Sequence, residues 1–408
     1  MKIVLVVAEY PAVSETFVAS RFLGLVAAGL DVEVVAGRGR RAGRVRVSWP
    51  HRPRWLAALL APASVARVLC LEPRAAARYL AMGWRRWGLD VVRRLYLDAE
   101  ILLARPDVLH FEFGPLAAAR MYLAELLGCK TVVSFRGYDL NYAGIEDQQY
   151  YQEVWARVDR VHCLSRDLWE KAQRRGCPSA KPHAIIPPAV DTEFFGAVER
   201  EPGVLLGSRE RPLRLVSVGR IEWSKGYEYA LETVAALRRQ GLVVEYRIVG
   251  AGEHLEAVAF CRHQLGLDDC VTLAGTAGPE QVRTELARAD LFLHAAVTEG
   301  FSNAVIEAQA SGLPVVTTDA GGLPENVEDA VTGFVVPRRN PWAAAEKVAL
   351  LACDPALRER MGRAGRRRAR QQFSLPAHLA AFERLYRDLA DGKPVDAPTS
   401  EPYLVGRA

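Results

Sequence analysis

From Leu213 to beyond Asn340 the sequence repeats one local pattern: a short β-branched apolar run, a turn, then an amphipathic stretch with helical spacing. LRLVSVG precedes GYEYALETVAALRRQG, VVEYRIVG precedes EHLEAVAFCRHQLG, CVTLAG precedes PEQVRTELARA, and DLFLHAA precedes SNAVIEAQASG. PVVTTDA and TGFVVPR then lead to a further helix after Asn340. Runs that are apolar on both faces need cover on both faces, and a parallel sheet with crossover helices supplies it. This half is expected to be a doubly wound α/β domain. The first half reads the same way with more interruptions: KIVLVVA, a helix from about Ser14 to Ala28, DVEVVAG, and, after a long insertion, PDVLHFEFG, LAAARMYLAELLG, KTVVSFRG and VDRVHCLS.

At 408 residues the chain exceeds what one hydrophobic core usually organises, so two α/β domains are expected. The segment IIPPAVDTEFFGAVEREPGVLLGSRERP is rich in proline, glycine and charge and has no sustained period. The layout that follows is an N-terminal Rossmann-like domain over 1–196 with an arginine-rich insertion at about 38–94, a linker at 197–212, and a C-terminal Rossmann-like domain over 213–372. A helix over 373–392, able to cross back to the N-terminal domain, and a tail over 393–408 complete it.

No apolar run reaches membrane-spanning length. The stretch MKIVLVVAEYPAVSETF passes straight into a turn and a helix without a small-residue cleavage site, which makes it a first strand and places the protein in the cytoplasm. Seven cysteines, scattered from Cys70 to Cys353 without C-x-x-C spacing, argue against a disulfide framework or zinc knuckle; buried, reduced thiols are expected.

Open α/β sheets bind ligands at the carboxyl ends of their strands, so the loops there carry the chemistry. After LRLVSV come Gly219 and Arg220, then Lys225 at the start of the next helix; an arginine and a lysine at one strand-to-helix turn suit a diphosphate. Solvated surface charge competes with that reading for any basic pair taken alone. Gly250 and Gly252 follow another strand, but the pattern is neither a P-loop nor a full dinucleotide fingerprint. In EGFSNAVIEA, Glu299 precedes a helix that begins within Phe301, Ser302 and Asn303, whose unpaired N–H groups can meet a hydroxyl-rich or anionic ligand. Glu307, four residues past Asn303, lies along the same helix face and can grip a polyol. Acids near a helix start also favour the macrodipole by roughly 0.3 to 1 kcal/mol each, with no ligand involved. Together these groups describe a binder for a nucleotide sugar.

The combination G-R-x4-K-G and E-G-F-S-N-A-V-I-E-A resembles the donor site of glycosyltransferase family 4, retaining enzymes of the GT-B fold. The likeness continues through SGLPVVTTDAGGLPENVEDAVTGFVVPRRNP and includes IIPPAVDTEFF, and the arginine-rich insertion is its least similar part. The resemblance implies that Arg220 and Lys225 neutralise the donor diphosphate, that Glu299 touches the transferred sugar, that Glu307 holds the ribose, and that amides of Phe301, Ser302 and Asn303 meet hydroxyls and phosphate. YPAVSETFVASRF and VVSFRGYDL are similar to members acting in bacterial exopolysaccharide assembly, of the colanic acid or amylovoran type. Ser14, Glu15, Thr16, His110, Arg136 and Asp139 are thereby candidates for the acceptor side. Ser14 reads equally as a plain N-cap, and a histidine such as His110 after an apolar run is more often structural. Where many members carry H-G-x-D, this chain has Arg136-Gly137-Tyr138-Asp139, and arginine cannot shuttle protons near neutral pH.

There is no Asp-x-Asp motif and no His/Cys cluster with ligand spacing, so no metal and no cofactor beyond the nucleoside-diphosphate sugar is expected. The resemblance implies retention, by same-face attack with the leaving phosphate taking the acceptor proton. The acceptor would be a glycan or lipid-linked molecule. Between Arg38 and Arg94 only Glu72 and Asp90 are acidic, and arginines interleave with Trp49, Trp55, Trp84 and Trp87, a pattern suited to anionic lipid. Core tryptophans and a general arginine bias are the competing reading. Nothing marks a nucleic-acid motif. Three other functions remain open at this point: a GT-B sugar-nucleotide epimerase, a two-lobed nucleotide-binding module without turnover, and a Rossmann oxidoreductase, the last disfavoured by the incomplete glycine pattern.

Overall fold

The computed structural model describes residues 1–11, 16–48, 54–196 and 203–392. Both halves carry the all-parallel sheet that their apolar runs require. In the first, β1 (Lys2–Tyr10), β2 (Asp31–Gly39), β3 (Val45–Val47), β4 (Val108–Phe111), β5 (Lys130–Phe135), β6 (Arg160–Cys163) and β7 (His183–Ile185) lie in the order β3-β2-β1-β4-β5-β6-β7. In the second, β8 (Leu213–Val218), β9 (Val244–Val249), β10 (Val271–Gly275), β11 (Leu291–His294), β12 (Val315–Thr318) and β13 (Gly333–Val336) lie in the order β10-β9-β8-β11-β12-β13. Each order reverses once, between β1 and β4 and between β8 and β11, and open α/β sheets place ligands at such switch points.

The chain divides into two compact units. One holds Met1–Cys163, Leu168–Ile186 and the described residues from Leu379 onward; the other holds Leu164–Asp167 and the described residues of Pro187–His378. The division falls at Ile186, not at residue 196, because Pro187 and Val190 are already tied to the second unit: the Val190 N–H donates to the Phe373 carbonyl at 3.0 Å, and His378 Nδ1 lies 2.9 Å from the Pro187 carbonyl oxygen. Of the expected linker, residues 197–202 lie outside the described residues. Further on, the Val243 N–H donates to the Gly207 carbonyl at 2.8 Å, so this part is folded onto the segment that leads into β9.

The first core packs Ile3, Leu5 and Val7 of β1 with Val32 and Val34 of β2 and with Phe382, Leu385 and Tyr386 of the helix Leu375–Ala390. That helix buries Ala381, Phe382, Leu385, Tyr386 and Leu389, a single stripe at three- and four-residue spacing. The insertion between β3 and β4 forms the helices Arg54–Leu71, Pro73–Trp87 and Val91–Ala104. Buried Asp98 fastens the last two of them to each other and to the segment after β4: its carboxylate accepts from Tyr79 Oη at 2.7 Å, from Tyr122 Oη, and from Arg120 Nε at 3.0 Å. Trp87 packs edge-on against Tyr122 at 4.8 Å, whereas Trp55 and Trp84 are 66% and 60% exposed. Trp49 lies outside the described residues.

All seven cysteines are free. The expectation that they are buried holds for Cys163 and Cys177; Cys129, Cys261 and Cys270 are partly buried, and Cys70 and Cys353 are exposed on helix surfaces. Burial pushes the Cys129 and Cys177 thiols up to about 12, which keeps both protonated and unreactive.

Candidate functional site

The site in the second unit is built at the switch point between β8 and β11. After β8 the chain turns through Trp223–Lys225, and Gly226 (φ +60°) opens the helix Tyr227–Arg239. A Cβ on Gly226 would sit 2.2 Å from the Ala295 carbonyl oxygen, so only glycine lets this turn dock on the loop after β11. The Ser224 carbonyl accepts from the Val297 and Thr298 N–H groups at 2.9 and 3.3 Å and locks the two together. Lys225 Nζ is thereby brought onto Glu299 Oε2. His294, the last residue of β11, approaches the same oxygen with Nε2 at 3.3 Å.

Burial alone would raise the pKa of Glu299. The Lys225 charge and the His294 hydrogen bond outweigh it and bring the carboxyl down to about 2. Burial lowers the pKa of His294, so this ring is neutral at physiological pH. Glu299 is the carboxylate of an inward-facing cluster, and it is ionised across the working range.

Arg220 does not join that cluster. Its side chain is 71% exposed and pairs with Glu222 at 2.7 Å, two residues away, so Arg220 and Lys225 do not converge on one point. The reason is local: Glu222 lies in the turn itself and is the nearest opposite charge.

The glycines after β9 act through backbone packing. A Cβ on Gly250 (φ +149°) would lie 1.9 Å from the Gly219 carbonyl oxygen, and one on Gly252 would lie 2.2 Å from that of Ile221. Parallel pairing continues past the strands through them, with Gly219 N–H to the Val249 carbonyl at 3.0 Å and Ile221 N–H to that of Ala251 at 2.9 Å.

The helix Asn303–Ala310 starts where the sequence places it, with Ser302 as N-cap accepting from the Val305 N–H at 3.4 Å. Ser302 corrects one expectation. Its N–H already donates to Asn326 Oδ1 at 2.9 Å, and Asn326 Nδ2 returns a bond to the Ser302 carbonyl at 3.2 Å, so that amide is taken. Phe301 turns inward, its ring edge-on to Phe373 at 5.6 Å. Glu307 is half-buried with no charged partner among the described residues, and burial pushes its carboxyl up to about 7. Two residues that shape this site escaped sequence reasoning, His294 and Asn326. His294 looked like one more member of an apolar strand, and Asn326 sits in a helical turn with no motif value of its own.

In the first unit, His110 is removed from the list of ligand-facing groups. It is fully buried inside β4 and both ring nitrogens are engaged: Nδ1 with Tyr386 Oη at 2.6 Å and Nε2 with Ser134 Oγ at 2.7 Å. Ser134 Oγ continues to His162 Nδ1 at 2.7 Å, and His162 Nε2 meets the Ile186 carbonyl at 2.9 Å. For neutral rings the proton order follows from that carbonyl, which can only accept: His162 Nε2–H to Ile186, Ser134 O–H to His162, His110 Nε2–H to Ser134, Tyr386 O–H to His110. The chain fastens three strands to the carboxyl-terminal helix.

Beyond β4, Glu112 is wholly buried between Arg21, with which it forms a close ion pair, and Arg136, whose Nη2 is 3.3 Å away. Arg136 lies over the Phe17 ring at 3.9 Å, and its N–H donates to Asp139 Oδ2 at 2.8 Å. Arg136 and Asp139 therefore close the end of β5 together. Ser14 and Glu15 lie outside the described residues, and Thr16 opens the helix Thr16–Ala27.

Two parallel-sheet Rossmann-like units are the architecture of the GT-B glycosyltransferases. In the solved structures, Anabaena Alr3699/HepE in complex with UDP and glucose superimposes with a TM-score of 0.69 at 14% identity, over 95% of this chain and 100% of that one. Residues 14–194 match the family described as Glycosyltransferase Family 4, and residues 205–368 match Glycosyl transferases group 1. The colanic acid biosynthesis glycosyltransferase WcaL of Salmonella typhimurium is 30% identical over 379 residues, 86% of this chain and 90% of its own length. The amylovoran biosynthesis glycosyltransferase AmsK of Erwinia amylovora is 27% identical, over 96% and 98% respectively. The chain belongs to glycosyltransferase family 4.

Proposed function

We propose that this glycosyltransferase moves a hexose-type sugar from a nucleoside-diphosphate sugar to a glycan or lipid-linked acceptor, with retention and without a metal ion, in exopolysaccharide or cell-surface glycan biosynthesis. The observation that carries the reading is Glu299, ionised at the switch point between β8 and β11 with Lys225 on one of its oxygens. Breaking the bond from sugar to diphosphate develops positive charge on the sugar and negative charge on the leaving oxygens, so a carboxylate and an ammonium fixed side by side match both. Arg220, exposed at the surface, supplies the second cation once a diphosphate competes with Glu222. Glu307 holds the ribose hydroxyls. Likeness to WcaL and AmsK over most of the chain supports the exopolysaccharide setting. On the acceptor side, Arg136 and Asp139 at the end of β5 stand nearest to the role.

The test is a donor screen that follows nucleoside diphosphate release, with and without lipid extract and with EDTA, and reads the anomeric configuration of the product by NMR. Acceptor-dependent release that survives EDTA and yields a retained linkage is expected. Acceptor-independent conversion of the donor would make the protein an epimerase, and tight nucleotide binding with no turnover a binding module.

Glu307 adds a pH dependence. A carboxyl that ionises at about 7 in the fold against 4.5 outside it has a stability contribution present below 4.5 and lost as pH rises through 7. Glu307→Gln should therefore melt higher than the wild type at pH 8 and alike at pH 4.5. Nucleoside diphosphate affinity should rise with pH through 7 in the wild type, as the carboxylate gains its acceptor lone pairs, and stay flat in the variant; calorimetric titration at pH 6 and 8 reads it.

Membrane association is part of the same proposal. No helix among the described residues is long and apolar enough to cross a membrane. The helix Pro73–Trp87 buries Ala75, Ala76, Tyr79 and Gly83 and exposes Arg74, Arg78 and Arg85 on its opposite side, beside exposed Trp84, with Leu71 and Leu89 exposed at its two ends. That face fits an anionic lipid surface. Co-sedimentation with anionic vesicles and not with neutral ones is expected; equal behaviour with both would remove this part.

A further inference from the structure

His294 belongs to no motif, yet among the described residues it is the only uncharged side chain that hydrogen-bonds to Glu299. It is 4% exposed at the end of β11, its carbonyl is held by Thr317 Oγ1 at 3.0 Å, and its ring lies parallel to that of Phe292 at 6.1 Å. The backbone is therefore fixed in the strand, and burial leaves the imidazole little room to follow a ligand. Lys225, by contrast, carries its charge on four rotatable bonds and stands where a diphosphate would draw it away.

Both partners meet the same oxygen, Oε2, and Glu299 Oε1 has no hydrogen bond among the described residues. We propose that His294 is a positioning residue for Glu299. Its Nε2–H keeps Oε2 in place after Lys225 turns to the donor diphosphate, so that Oε1 stays aimed at the sugar. A carboxylate accepts only, so the ring must carry its proton on Nε2. The separation of 3.3 Å is that of a contact able to shorten once the competing ammonium has left. The charged and titratable groups around this ring are Lys225 from the turn after β8, Glu299, Tyr229 from the helix that follows, and Arg339, the last two sharing with His294 a small depression near the start of the helix Pro341–Cys353; Tyr227 faces Glu299.

This inference rests on the glycosyltransferase reading, and the experiment separates the two. His294→Gln keeps a side-chain N–H donor, whereas His294→Leu removes it. With the donor found in the screen, the Leu variant is expected to lose about thirtyfold in kcat while KM for the donor and the affinity for the nucleoside diphosphate stay within about twofold. The Gln variant should stay within about fivefold of wild type in kcat. The acid limb of kcat should move up by about one pH unit in the Leu variant, because Glu299 has then lost its last partner in the loaded state. Long-range nitrogen–proton NMR of the wild type should show the Nε2–H form of His294, a readout that needs neither turnover nor a folded variant. An Nδ1–H form, or a folded Leu variant with wild-type kcat and pH profile, would overturn the proposal. Absence of turnover by the wild type with every donor sinks the glycosyltransferase reading and leaves the NMR result to judge this one.

Discussion

Lys225→Ala should release nucleoside diphosphate about a hundredfold more slowly than wild type, or more slowly still, a barrier increase on the order of 3 kcal/mol. Two losses combine. The ammonium that would meet the leaving diphosphate is gone, and Glu299 loses the charge that offsets its burial, so its pKa climbs from about 2 towards neutrality. The second loss has its own signature: activity of the variant should fall off at mildly acidic pH, where the wild type is flat. Lys225→Arg should restore the flat profile, because charge on Glu299 is what matters there, while leaving the rate below wild type because a guanidinium does not fit an ammonium site. Arg220→Ala is expected to cost only about tenfold, since a side chain 71% exposed and paired to Glu222 is less preorganised. Pre-steady-state measurement of diphosphate release across pH 5 to 9 reads all three. Identical rates for Lys225→Ala and wild type would falsify the role of this residue.

The largest expected effect on stability lies in the first unit. Glu112→Leu should destabilise it by about 3 to 5 kcal/mol, because Arg21 is left charged in a site that excludes water. Arg21 is 1% exposed and stacked over Phe382 at 4.1 Å, with Arg136 also on Glu112. Burial, reinforced by Arg136, pulls the Arg21 guanidinium down to about 10, so it stays charged at neutral pH and cannot escape by neutralising. Arg21→Met combined with Glu112→Leu should recover most of the loss, since two apolar side chains replace a pair whose attraction is offset by desolvation. Urea unfolding followed by hydrogen exchange over β4 and the carboxyl-terminal helix separates this unit from the other, which matters in a chain with two cores. An unchanged midpoint for the single variant would show that water reaches the pair.

Much of this architecture could be read from local periodicity. Strands such as LFLH and VVTT are buried at every position, and their parallel pairing follows from the need for cover on both faces. The turn at Ser302 was legible for a similar reason: an N-cap serine before a helical period is a short-range signal. His110 was not legible in that way. Its burial depends on Tyr386, Ser134 and His162, which approach it from 276, 24 and 52 residues away.

What the chain determined by itself was the alternation of strand and helix, the α/β class and the loops that carry Lys225, Glu299 and Glu307. What only the tertiary structure decided was which groups share a partner. Lys225 meets Glu299 and Arg220 does not, His294 stands behind the carboxylate, Asn326 occupies the Ser302 amide, and Glu112 lies between two arginines. The physical reason is range. Secondary structure answers to spacings of two and of three to four residues, whereas Lys225 meets Glu299 because β8 and β11, far apart in sequence, are neighbours where the strand order reverses, and Glu112 meets Arg136 because β4 pairs with β5.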